Sequence, residues 1–309
     1  MTAQDSATRP VAIAPGTGTS GTAPGTASGT ALAALGVASF SLTFPATVWS
    51  LDGFGPWTST GLRGAVAGLL AGLYLLASGA PLPKARQWPG LLVVSAGCVV
   101  GFPLLTTLAL RTSSTAHSAV VIGLLPLATA VASALRTGRR PSRLFWAAAL
   151  AGAAAVLGFT LLQSHGRPTV ADLYLFAGVL VCAAGYTEGG RLSRDLPGAR
   201  VIAWAVVAAA PVMLLTAAHG LSAEPVRLGA KALVGLAYIA AVSQLGGFVF
   251  WYRGMAAIGV PRASQLQLAQ PLLTLVWSVL LLGEDLPVAA PLTAVVVLGC
   301  IAVTQRARA

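Results

Sequence analysis

Ser114–Pro141 reads STAHSAVVIGLLPLATAVASALRTGRRP, and Gly259–Leu286 reads GVPRASQLQLAQPLLTLVWSVLLLGEDL. Aligning Pro126 with Pro271 sets an offset of 145 residues, at which Gly138 falls on Gly283. Each proline lies near the middle of an apolar run long enough to cross a bilayer. Proline lacks the amide donor and clashes with the carbonyl one turn back. In mid-membrane such an interruption is tolerated where it lines a cavity or is buried in protein. Paired interruptions in two halves are the sequence pattern of a carrier built from internal repeats. Ordinary packing kinks are the other reading of Pro126 and Pro271.

Working outward, the whole chain has the composition that such spans require. Of 309 residues, 56% are hydrophobic and 9% charged, and the mean hydropathy is +0.81. A soluble domain carries about 25% charged residues, so too few polar side chains exist here to cover a water-facing surface. The 35 Gly and 19 Pro are tolerated in membrane helices. The net charge of +11 lies mainly on short connectors between apolar runs, which points to cytoplasmic loops rather than to nucleic acid. No zinc-ligand spacing or nucleotide-binding glycine pattern occurs, and His117, His165 and His219 are scattered. Neither a cofactor nor enzymatic chemistry is expected. Cys98, Cys182 and Cys300 lie in apolar runs and read as packing residues.

Runs of about 20 apolar residues occur at 30–49, 58–78, 88–108, 115–135, 144–163, 171–190, 199–218, 230–250, 263–282 and 287–304. The fold class is therefore all-α, a polytopic membrane protein with ten transmembrane helices. Residues 1–29, rich in Thr, Gly, Ser, Ala and Pro, are expected to form a flexible cytoplasmic tail. With both termini inside, the cytoplasmic connectors and ends hold fourteen of the 19 basic residues; the outer connectors hold only Arg111, Arg167, Arg227 and Lys231. This bias assigns both termini to the cytoplasm of a cell (inner or plasma) membrane protein. Spans 1–5 (residues 30–163) and 6–10 (171–304) form two repeats. Five is odd, so the second repeat is inverted relative to the first.

The chain resembles the ten-span EamA branch of the drug/metabolite transporter superfamily from Thr30 to Thr304. The sharpest match is Trp251–Leu286, WYRGMAAIGVPRASQLQLAQPLLTLVWSVLLLGEDL, with small residues, a mid-helix Pro-Leu step and a terminal Gly-Glu. The first half keeps Pro126-Leu127 but has Arg139 where Glu284 stands in the second. Arg63, in GLRGAVAGLL, matches a basic residue often found in the family's second span. The resemblance implies export of amino acids or other small metabolites through a central cavity lined by both halves. It also implies drive from a proton or other ion gradient, or from the substrate gradient alone. A membrane-embedded sensor or scaffold without transport is the alternative.

The expected partners are a small-molecule substrate and membrane lipid, with no nucleic acid. Arg63 is the sharpest candidate, either holding a substrate carboxylate or closing a gate; snorkelling to the headgroups is its other reading. Glu188 either carries a coupling proton or pairs with Arg191 or Arg194. Gln267 and Gln270, three apart on one face before Pro271, join Ser264, Gln265 and Gln244 as amide or hydroxyl candidates for polar solutes or for interhelical bonding. Trp49 is read as a gate or belt residue, Tyr186 as a cavity hydrogen-bonder, Trp251 and Tyr252 as belt residues, and His117 as polar packing. Small residues four apart, at Gly61–Ala65, Gly68–Gly72, Gly185–Gly189 and Ala151–Ala155, are expected at helix crossings.

Overall fold

The structure, a computed structural model, describes residues 26–138, 142–163, 167–258, 266–267 and 269–306. The described residues contain no strand and form ten apolar helices. They are α1 (Ala27–Leu51), α2 (Pro56–Ala77), α3 (Ala85–Ala109), α4 (Thr115–Arg136) and α5 (Arg143–Gln163) in the first half. The second half contains α6 (Val170–Leu192), α7 (Gly198–Ala223), α8 (Ala230–Gly254), α9 (Ala269–Leu282) and α10 (Ala289–Val303). The first eight are long and apolar enough to cross a membrane; the described parts of α9 and α10 are shorter. Thr26 to Gly29 are already helical, inside the stretch expected to be flexible up to residue 29. The cause is tertiary: Gly29 is already pressed against Ala257 and Ile258.

Helix pairing carries the internal symmetry. α2 packs along α7, α4 against α9, α5 against α10, α1 on α8 and α3 on α6. Matching α1 to α6 and α3 to α8 turns the α1–α8 pair into the α6–α3 pair and returns each other pair to itself. A twofold pseudo-axis relating two inverted five-helix halves produces this set. Local distortions obey it too. α3 widens into a π-helical turn at Ser95–Gly101 and α8 does so at Tyr238–Gly246; an offset of 145 carries 95–101 onto 240–246. Gly138 and Gly283 follow α4 and α9 with φ of 66° and 67°. Glycine enters that left-handed region without the Cβ clash that other residues pay for.

Close crossings depend on where small residues point. On α2 the seam toward α7 is Gly61, Gly64 and Gly68, which meet Ala217, Met213 and Ala210. The spacing is three and then four, so the expected Gly61–Ala65 and Gly68–Gly72 pairs are not the seam; Gly72 has open space beside it. Gly36 on α1 meets the backbone of Trp251. Trp251 is accordingly 7% exposed and sits in the α1–α8 contact rather than in the aromatic belt. Tyr252 is half-buried and packs over Gly198.

The two ends of the bundle differ in charge. At the basic face, Arg136 and Arg191 hold Glu188, and Arg86 lies 3.7 Å from Asp195. At the acidic face, carboxylates cap helices across the halves. Glu224 accepts from the amides of Trp57 and Thr58, and Glu284 from those of Thr115 (2.8 Å) and Ala116 (2.9 Å). The first amides of a helix lack intrahelical acceptors, and the macrodipole favours an anion there. Glu284→Ala is therefore expected to cost about 1–2 kcal/mol, read as a drop of several degrees in the thermal midpoint of the purified protein. Glu284→Gln should recover part of it, and an unchanged midpoint in both variants would refute the cap.

Candidate functional site

Of the interruptions foreseen at Pro126 and Pro271, the one at Pro126 is present and lies against Pro271 of α9; the helix Ala269–Leu282 runs through Pro271. α4 breaks into Thr115–Ile122 and Leu125–Thr137, with Pro126 in the first turn of the second piece. Pro271 is the third residue of the helix Ala269–Leu282. A Cβ built on Gly123 would lie 3.8 Å from the Pro271 Cβ, so the break in α4 touches α9 at its proline. A third proline acts in the same region. Pro45 cannot donate to the Ser41 carbonyl one turn back, and the Thr274 hydroxyl of α9 donates to that oxygen at 2.9 Å. The Trp277 indole N–H donates to the Ser41 hydroxyl at 2.9 Å.

Around this point lies a cavity of about 70 Å³. Its walls come from α1 (Phe40, Thr43, Phe44), α2 (Arg63), α3 (Cys98, Phe102), α4 (Ala119 to Pro126), α6 (Cys182, Tyr186), α8 (Ser243, Phe248) and α9 (Gln267, Gln270, Pro271, Thr274). Both halves contribute. The volume is well below the roughly 300–1,000 Å³ of pockets for drug-sized ligands. This conformation therefore encloses a space for a few waters or a very compact solute.

Arg63 is the charged wall. It is only 5% exposed, so it turns into the protein rather than out to the headgroups. Its Nε donates to Gln244 Oε1 at 2.9 Å, and its Nη2 donates to Ser243 Oγ at 3.3 Å. Ser243 Oγ also bonds Thr43 Oγ1 at 2.8 Å, and Gln244 Nε2 reaches the Cys98 carbonyl at 3.5 Å. The π-helical turn of α8 directs two consecutive residues, Ser243 and Gln244, at the same guanidinium. π-Bulges recur at functional sites for such reasons. These partners are all neutral, and no ion pair among the described residues involves Arg63. A guanidinium has five N–H donors and is expensive to bury without an opposite charge.

The sequence candidates separate into two groups. Arg63, Tyr186, Gln267, Gln270, Pro126 and Pro271 all line the cavity, and Gln244 stands directly behind Arg63. Tyr186 meets Phe248 edge to face with ring centroids 6.3 Å apart. Glu188 and Trp49 lie elsewhere. Glu188, 8% exposed, stands at the basic face with Arg136 Nε at 2.8 Å on one oxygen and Arg191 Nε at 2.7 Å on the other. Of the two arginines expected as partners, Arg191 is found there; Arg136 of α4 is the unforeseen one. Trp49 is half-buried near Gly235 in the α1–α8 contact. Ser264 and Gln265 lie outside the described residues.

Sequence reasoning missed Thr43, Ser243 and the aromatic wall of Phe40, Phe44, Phe102 and Phe248. Isolated hydroxyl and Phe positions on apolar helices carry no signal of which helix they will face. It also missed the role of His117. His117 Nε2 lies 2.6 Å from Asp172 Oδ1. Asp172, 1% exposed, takes the Thr169 amide and hydroxyl on its other oxygen. α4 is thus tied to α6 at both ends, by His117–Asp172 at the acidic face and Arg136–Glu188 at the basic face.

The EamA-like transporter family matches residues 27–161 and again 169–305. The chain belongs to the EamA-like transporter family. The "Uncharacterized transporter YdeK" of Bacillus subtilis (strain 168) is 43% identical over 272 residues, covering 88% of this chain and 95% of that protein. A solved structure described as "Crystal structure of protein" has 22% identity and a TM-score of 0.61, covering 90% of this chain and 96% of that one; the likeness concerns the fold alone. This EamA-like chain is a multi-pass membrane transporter, not an enzyme.

Proposed function

We propose that this chain is a secondary carrier of the ten-span branch that moves small organic metabolites bearing a carboxylate, with efflux as its direction. The observation that carries this reading is Arg63: a buried guanidinium on the wall of a cavity shared by both halves, with only neutral partners. A bound carboxylate supplies the missing charge through the remaining N–H groups, and bidentate pairing is the geometry that guanidinium favours. Gln267, Gln270 and Thr274 offer donors and acceptors to the rest of the solute, and Tyr186 with Phe248 offers an apolar face.

Transport then follows from alternating access. The break in α4 lets the outer and inner parts of this helix move separately around a fixed centre. His117–Asp172 closes the acidic end and Arg136–Glu188 the basic end, and each must open in turn. Glu188 is assigned to this closure rather than to carrying a proton, because two guanidinium groups already occupy its oxygens. The basic face lies in the cytoplasm, as its excess of Arg requires.

The test is uptake of labelled carboxylate-bearing metabolites into inside-out vesicles, with and without an imposed proton gradient. Saturable uptake that depends on this chain is the expected result. Binding of the same compounds without any uptake would replace the carrier with a sensor.

A further inference from the structure

The chain has eight acidic residues, and none of the seven among the described residues lines the cavity. Asp5 lies in the N-terminal region outside the described residues. Glu188 and Asp195 stand at the basic face; Asp52, Asp172, Glu224, Glu284 and Asp285 belong to the acidic face. Among the described residues the site thus holds one positive charge, on Arg63, and no negative side chain to set against a second cation. Gln267, Gln270 and the carbonyls at the break of α4 offer partial charges only.

This arrangement discriminates by net charge once the cavity closes. With a monoanion bound, the enclosed complex is neutral. With a zwitterion bound, Arg63 gains its carboxylate but the solute's ammonium remains, and the complex keeps one net positive charge in a low-dielectric interior. Uncompensated charge inside a membrane protein is expensive. The ammonium also lies within one small solute's length of the guanidinium, which repels it.

We propose that the preferred substrates are small organic monoanions with an apolar body and no ammonium group. Amino acids with the same carbon skeleton are disfavoured, and organic cations are excluded. The inference rests on the reading of Arg63 as the carboxylate anchor and narrows it.

The experiment compares matched triads on the full-length protein in lipid nanodiscs near neutral pH, by calorimetry. One triad is 4-methylpentanoate, leucine and 3-methylbutylamine; the other is 3-phenylpropanoate, phenylalanine and 2-phenylethylamine. The carboxylate is expected to bind at least about tenfold tighter than the amino acid, the amine not at all, and Arg63→Gln is expected to remove carboxylate binding. Amino acids binding as tightly as the carboxylates, but still losing binding in Arg63→Gln, would overturn the charge discrimination and leave the anchor standing. Binding of both that is indifferent to Arg63→Gln, preferential binding of the amine, or no binding by either triad, would overturn the anchor and this inference with it.

Discussion

Arg63→Gln is expected to lower carboxylate transport by about a hundredfold or more while leaving the thermal midpoint of the substrate-free protein within a few degrees of the parent. A hydrogen bond to a charged group is worth about 1.5–3 kcal/mol. Losing two in a buried site corresponds to roughly two to four orders of magnitude in affinity. The stability side runs the other way. Arg63 is buried with neutral partners only, so removing its charge relieves a desolvation cost, and glutamine can still donate to Gln244. Arg63→Lys keeps a point charge but not the planar fork and should fall between. An arginine with a purely structural role would behave oppositely: its loss would lower the midpoint sharply and reduce transport only as far as folded protein is lost. Parallel uptake and thermal melts on the three proteins distinguish these cases.

The largest stability effect is expected at the α2–α7 crossing. A Cβ on Gly61 would collide with the backbone nitrogen and Cα of Ala217. Backbone cannot rotate aside as a side chain can, so the two helices must separate along their seam. Overpacking a tight core costs about 1–3 kcal/mol, occasionally more. Gly61→Ala should sit at or above the upper end, and Gly61→Val should prevent recovery of folded protein. Gly64→Ala meets the flexible Met213 side chain instead and should cost less. Gly72→Ala, with nothing within 4 Å, should be neutral or slightly stabilising, since alanine favours the helix by up to about 1 kcal/mol over glycine. Equal shifts in melting for Gly61→Ala and Gly72→Ala would sink this account of the crossing.

These two positions show where reading the chain stops. The pairs Gly61–Ala65 and Gly68–Gly72 share a four-residue spacing and look alike in sequence, yet Gly61 and Gly68 face α7 while Gly72 has open space beside it. Spacing gives the face of a single helix, and it does not say which face a neighbour will cover. The same holds for charge. Glu188 and Arg63 are both ionisable groups in apolar spans, and hydropathy treats them alike. Arg63 meets Gln244 and Ser243 across 181 and 180 residues of chain, while Glu188 finds an unforeseen partner in Arg136 from another helix.

What the residues by themselves determined is everything that depends on local length, periodicity and composition. Ten apolar runs fix the helices because backbone groups in hydrocarbon must bond within their own segment. The offset between Pro126 and Pro271, with glycine after each helix, fixed the repeat, and an odd number of spans per repeat fixed its inversion. Tertiary structure alone decided which polar groups converge. The cavity lies where the proline-broken α4 meets Pro271 of α9. Arg63 stands there because the π-turn of α8 directs Ser243 and Gln244 toward it. Glu224 and Glu284 became helix caps because each lies beside a helix N-terminus of the opposite half. Each of these results pairs residues far apart in the chain, and such pairings are set by packing between helices rather than by any pattern within one.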